Sequence, residues 1–119
     1  MASFEDLDAF KACQELTLAL HKVVEVLEDF DSELSAELWS AALVAPSRLA
    51  RGSGFRNRKM FWVSADRSFS ALSEIDYYLN LCDGLALITK EEHQRLESLR
   101  GRAAFYTMKL VCELARDNQ

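Results

Sequence analysis

Apolar residues recur every three or four positions along almost the whole of this chain, and little in the sequence stops them. Four Gly and one Pro are spread over 119 residues. That is too few turn-formers for a strand-rich fold, so long helices are predicted. Half of the residues are hydrophobic and 28% are charged, the balance of a folded chain rather than a disordered one. A chain of this length makes one domain, 1–119, burying ~65% of its unfolded surface.

The first helix is predicted from about Leu7 to Asp29, with Ser3 or Asp6 as its N-cap. Phe10, Cys13, Thr17, Leu20, Val24 and Leu27 make one stripe on it. Ala9, Ala12, Leu16, Ala19, Val23, Val26 and Phe30 make a second. Asp31 and Ser32 connect to a second helix starting near Glu33 or Ser35, with Leu34, Leu38, Ala41, Ala45 and Leu49 on its face. Pro46 lacks an N–H and clashes with the carbonyl four residues back, so a kink or interruption is expected there. Gly52 and Gly54 are read as the helix stop. The third helix is expected from about Asn57 to Asp83, with Gly84 at C′. The fourth opens at Thr89 with Glu92 three residues on, the spacing of a capping box.

Four helices joined by short loops predict an all-α, antiparallel up-down-up-down four-helix bundle. The apolar faces are wider than one bundle core needs. Trp39, Trp62, Tyr77, Tyr78 and Phe105 are therefore candidates for self-association. Wrapping of the core by these aromatics is the competing reading.

The sequence offers little to catalysis. A di-iron bundle needs Glu-x-x-His on two helices, but Leu18 precedes His21 by three residues and Lys90 precedes His93. Three scattered cysteines, Cys13, Cys82 and Cys112, and two distant histidines do not make a zinc site, and the cysteines read as reduced, core-facing thiols. Ser47 beside Arg48 is not a nucleophile with its base, and Arg51-Gly52-Ser53-Gly54 lacks the Lys-Ser/Thr ending of a phosphate loop. Glu74 and Asp76, two apart, diverge around their helix. The expectation is no enzyme, no catalytic residue, no cofactor and no metal. The opening MASFEDLDAF lacks a basic, apolar leader, and no run reaches ~18 apolar residues, so no membrane partner and a cytoplasmic location are expected.

One segment stands apart in charge. From Leu38 to Ala65 there is no Asp or Glu, yet Arg48, Arg51, Arg56, Arg58 and Lys59 lie within it. The rest of the chain sets nine Lys/Arg against nineteen Asp/Glu, giving −5 overall. The five cations are the candidate contact for a polyanion or a partner, with Phe55 available to stack. Set against a nucleic-acid partner, the net charge of −5 repels polyanions unless one face is strongly segregated.

Phe4-Glu5-Asp6-Leu7 with Phe10, Ala41-Ala42-Leu43-Val44-Ala45-Pro46-Ser47-Arg48-Leu49-Ala50-Arg51-Gly52, Leu72-Ser73-Glu74-Ile75-Asp76 and Leu85 to Glu92 occur in an order that resembles the small four helix bundle proteins. These are also called the 23S ribosomal RNA intervening-sequence protein family. Pro46, Ser47 and Gly52 match its backbone signature; Arg48 and Arg51 stand where that family commonly has Asn and Glu, and Ser40 where a basic residue is usual. The resemblance implies a homopentamer without enzymatic activity. A related branch, the accessory variability protein of diversity-generating retroelements, is a basic pentamer that binds nucleic acid. This acidic chain departs from that branch. Taken together, the expectation is a non-catalytic oligomeric scaffold for an unidentified protein partner. The alternative is an accessory nucleic-acid-binding or ribonucleoprotein factor using 48–59.

Overall fold

The computed structural model describes residues 3–117. Those residues form four long helices: α1 (Asp8–Leu27), α2 (Ser32–Ser53), α3 (Arg58–Gly84) and α4 (Lys90–Asp117). They make a rod of 45 × 21 × 21 Å in which α1 packs on α2 and α4, and α3 packs on α2 and α4. Cross-helix contacts give the directions. Val24 and Thr17 of α1 meet Ser35 and Ala42 of α2, while Asp76 and Asn80 of α3 meet Arg100 and His93 of α4. Each neighbour therefore runs antiparallel, as the short loops predict.

The core is aliphatic. Leu16, Leu20, Leu27, Leu38, Leu49, Leu72, Ile75, Leu79, Leu96 and Leu114 are fully buried, and both α1 stripes contribute to it. Buried hydroxyls join the helices within this core: Ser35 Oγ donates to Val24 O at 2.7 Å, and Ser68 Oγ to Ala45 O at 2.6 Å. A buried hydroxyl must find such an acceptor or lose its hydration without replacement.

Helix ends differ in detail from the sequence reading. Ser3 heads a separate 3-10 turn, Phe4–Asp6, where its N–H donates to Asp6 Oδ2. Leu7 then precedes α1 and offers no side-chain cap. Asp31 is not loop alone; its Oδ1 accepts from Leu34 N and caps α2. Asn57 Oδ1 caps α3 through Lys59 N and Met60 N. Thr89 Oγ1 accepts from Glu92 N at 3.0 Å as expected, but the Glu92 carboxylate meets the Thr89 hydroxyl at 3.5 Å.

The end of α3 also corrects an expectation. Gly84 is its last helical residue, and the left-handed position falls two residues later at Ala86, φ 57°. Ala86 N donates to Asp83 O and Leu87 N to Cys82 O, the paired bonds of a Schellman stop. A non-glycine residue there costs about 1–2 kcal/mol in local conformation. Beyond it, Lys90 Nζ bonds Asp83 Oδ1 at 2.8 Å and holds that carboxyl below its usual range, so the loop is clasped to α4.

Pro46 does not interrupt α2, which is continuous from Ser32 to Ser53. Its missing N–H leaves the carbonyl of Ala42 without a helical donor. Thr17 Oγ1 of α1 approaches that carbonyl at 2.8 Å, and also the Cys13 carbonyl at 2.9 Å. A neighbouring helix thus closes the gap the proline opens.

Gly52 is corrected as well. It lies within α2, buried and without positive φ, so it is not a left-handed stop. A Cβ there would sit 2.8 Å from Phe61 Cδ1 and 2.8 Å from Ser64 Cβ. The glycine lets α2 and α3 approach. Gly54 is αR, with φ −82°, and closes α2 through a bond from its N–H to Arg51 O.

Candidate binding surface

The basic segment divides by position. Arg48 and Arg51 lie on the side of α2 that faces α3, where they line a groove of about 240 Å³ with Phe55, Met60, Val63, Ser64 and Arg67. Arg56, Arg58 and Lys59 are exposed around the α2–α3 turn. The sequence reading omitted Arg67 because Asp66 ends the acid-free run. Its register identifies it: Met60, Ser64, Arg67, Ala71 and Glu74 follow one side of α3 at 3-4 spacing.

Among the described residues, Arg48, Arg51, Arg56, Lys59 and Arg67 form no salt bridge. Lys59 stands in the first turn of α3, where the helix dipole favours anions over cations.

The groove continues along the same two helices past Glu37, Ser40, Ala41, Val44, Ser70, Ala71 and Glu74. Its charge reverses on the way, from Arg48, Arg51 and Arg67 to Glu37 and Glu74. Tyr78 lies at the acidic end, where burial first, and then the Glu37 and Glu74 charges, raise its phenol. Glu74 faces this groove while Asp76 turns to α4 and meets Arg100 at 3.6 Å. The two carboxylates diverge as their spacing requires.

The reversal extends to the whole rod. Divided at the level of the Thr17–Ala42 contact, the half made of 3–18, 42–71 and 101–117 carries ten Lys/Arg and seven Asp/Glu. The other half, 19–41 and 72–100, carries four and twelve. The described bundle is therefore +3 in one half and −8 in the other.

The aromatic candidates do not gather into one patch. Trp39 is half-buried between α2 and α1, its ring 5.2 Å from His21. Trp62 is half-buried on α3, with Nε1 shielded and no hydrogen-bond partner among the described residues. Tyr78 is half-buried against the exposed Tyr77, rings 5.6 Å apart. Phe105 is 65% exposed and shares a stripe on α4 with exposed Met108 and Cys112. Trp39, Trp62 and Tyr78 pack against the core; Tyr77 and Phe105 do not.

Of the signature positions, Pro46 and Gly52 are buried and Ser47 is exposed, its hydroxyl donating to Val44 O. Cys13 and Cys82 are buried thiols, and burial raises Cys82 to about 11. Cys112 departs from the expected core position: it is exposed, its thiol 3.7 Å from Met108 Sδ. No three His, Cys, Asp or Glu side chains among the described residues are placed to hold a metal ion. No described helix is long and apolar enough to cross a membrane. No protein-family model and no curated protein matches the chain.

Proposed function

We propose that the chain is a non-catalytic, self-associating four-helix bundle that serves as a binding scaffold for a protein partner. The apolar surface left outside a complete core carries this reading. Phe105, Met108 and Cys112 stand at i, i+3 and i+7 on one exposed stripe of α4. Residues at that spacing share a helix face and suit burial by another helix. The resemblance to the four helix bundle proteins supports the same reading and sets the assembly expected of such a stripe at five copies. A cytoplasmic scaffold in that family needs no chemistry of its own. Sedimentation of Phe105→Glu/Met108→Glu should show the assembly losing mass relative to wild type. An assembly of unchanged mass contradicts the stripe's role.

The segregation of charge favours a second reading, an accessory nucleic-acid-binding factor. The overall charge of −5 argues against a polyanion partner, but the basic half confines ten cations to one end of the rod, with three arginines and Phe55 on one groove. Fluorescence-anisotropy titration with single-stranded RNA and DNA should show binding that weakens steeply with salt. It should be lost when Arg48, Arg51, Arg56, Arg58 and Lys59 become Ala. No binding at low salt contradicts this reading.

A further inference from the structure

The α2–α3 face is complementary to itself. On α2, Glu37, Val44 and Arg51 are spaced by seven residues, so the acid and the base lie about 10.5 Å to either side of Val44. On α3, Arg67 and Glu74 are spaced symmetrically about Ser70 and Ala71. Val44, Ser70 and Ala71 line the same stretch of groove. The two helices run antiparallel, yet both place arginine toward the α2–α3 turn and glutamate toward the other end.

We propose that this face docks on the same face of a second copy, across a two-fold axis lying in the face and perpendicular to the helices at the level of Val44. That rotation sets α2 against α2 and α3 against α3, each reversed. Glu37 then meets Arg51 of the second copy, and Arg67 meets its Glu74. The symmetry repeats both, giving four complementary pairs from two residue pairs, as an isologous contact must. Apolar residues fall into register too: Val63 comes opposite Tyr78, and Met60 opposite Leu81. Ser70 and Ala71 at the centre are small and allow the backbones to approach closely, while Arg48 comes opposite Ser40 of the second copy.

The alternative two-fold axis, parallel to the helices, would place arginine on arginine and glutamate on glutamate. Charge therefore selects the orientation. From Met60 to Leu81 the face is about 32 Å long and the bundle is 21 Å wide. This footprint approaches the ~800 Å² per partner of a stable interface. A surface ion pair alone contributes little; here four lie around an apolar and small-residue centre. The contact gives a dimer, or, where the α4 stripe closes a five-membered ring, a pair of rings.

This inference rests on the reading that the chain self-associates but uses a different surface from the α4 stripe, so the two fail separately. In light scattering, Arg67→Glu and Glu74→Arg should each halve the mass of the wild-type assembly, because each sets like charges against each other. The double variant Arg67→Glu/Glu74→Arg should restore it. So should mixing the two single variants, a result that a role confined to one subunit cannot produce. Val44 sits at the axis, so Val44→Cys in a Cys112→Ser background should form a disulfide-linked dimer on mild oxidation. Leu43→Cys, exposed on the other side of α2, should not. Single variants with the wild-type mass, a double variant or mixture that fails to regain it, or a Val44→Cys chain that stays uncrosslinked would each overturn the inference.

Discussion

Gly52→Leu is expected to destabilise the fold by about 3 kcal/mol or more, at the upper end of the cost of overpacking a close-packed site. The first added atom has no room. A Cβ lies 2.8 Å from Ser64 Cβ, which is fixed to the α3 backbone, so relief requires α2 and α3 to move apart. The Phe61 ring, only partly buried, can turn away from its own 2.8 Å contact; Ser64 cannot. Gly52→Ala should cost less. The same Cβ clash is offset by the ~1 kcal/mol that alanine gains over glycine inside a helix. Urea unfolding followed by circular dichroism separates the cases. A leucine variant within about 0.5 kcal/mol of wild type, the ordinary scatter of neutral surface changes, contradicts the assignment of Gly52 to close helix packing.

Thr17→Val should also be severe, costing about 1–3 kcal/mol, because it leaves the Ala42 carbonyl buried with no donor. The methyl replaces a hydroxyl of the same shape, so the cost reports the lost bond rather than a cavity. Its dependence on Pro46 is the sharper test. In a Pro46→Ala chain, residue 46 has an N–H in helical register to satisfy Ala42, so Thr17→Val should cost at least ~1 kcal/mol less than in wild type, a coupling typical of directly linked groups. Costs that simply add across the two sites in the unfolding cycle would contradict the bridge between Thr17 and the proline gap.

These two sites show where the sequence was legible and where it was not. The four helices follow from periodicity, since apolar spacing is a local property and the long Leu- and Ala-rich runs leave no competing period. Pro46 looked like a break because only its own helix was in view; the donor that repairs it is 29 positions away, on α1. Gly52 looked like a stop because glycine commonly ends helices, whereas its reason here is the surface of another helix. Ala86 takes the left-handed turn that Gly84 seemed placed to supply, since the Schellman bonds select residues by count from the helix end rather than by type.

The candidate surface was legible in half. The cations from Arg48 to Lys59 stand out because no acid interrupts them. Their continuation to Arg67, and the matching acids Glu37 and Glu74, become visible only when two antiparallel helices lie side by side. The total charge of −5 concealed a rod with opposite ends. Cys112 was misplaced because a helical stripe gives residues a common side but not the identity of the neighbour that covers it.

The central claim is that this bundle acts as an assembly rather than as a lone subunit. Light scattering on the wild-type chain at micromolar concentration tests it directly. The account predicts a single species at a multiple of the 13.5 kDa subunit: two copies, five, or a pair of five-membered rings. A species at 13.5 kDa would contradict it.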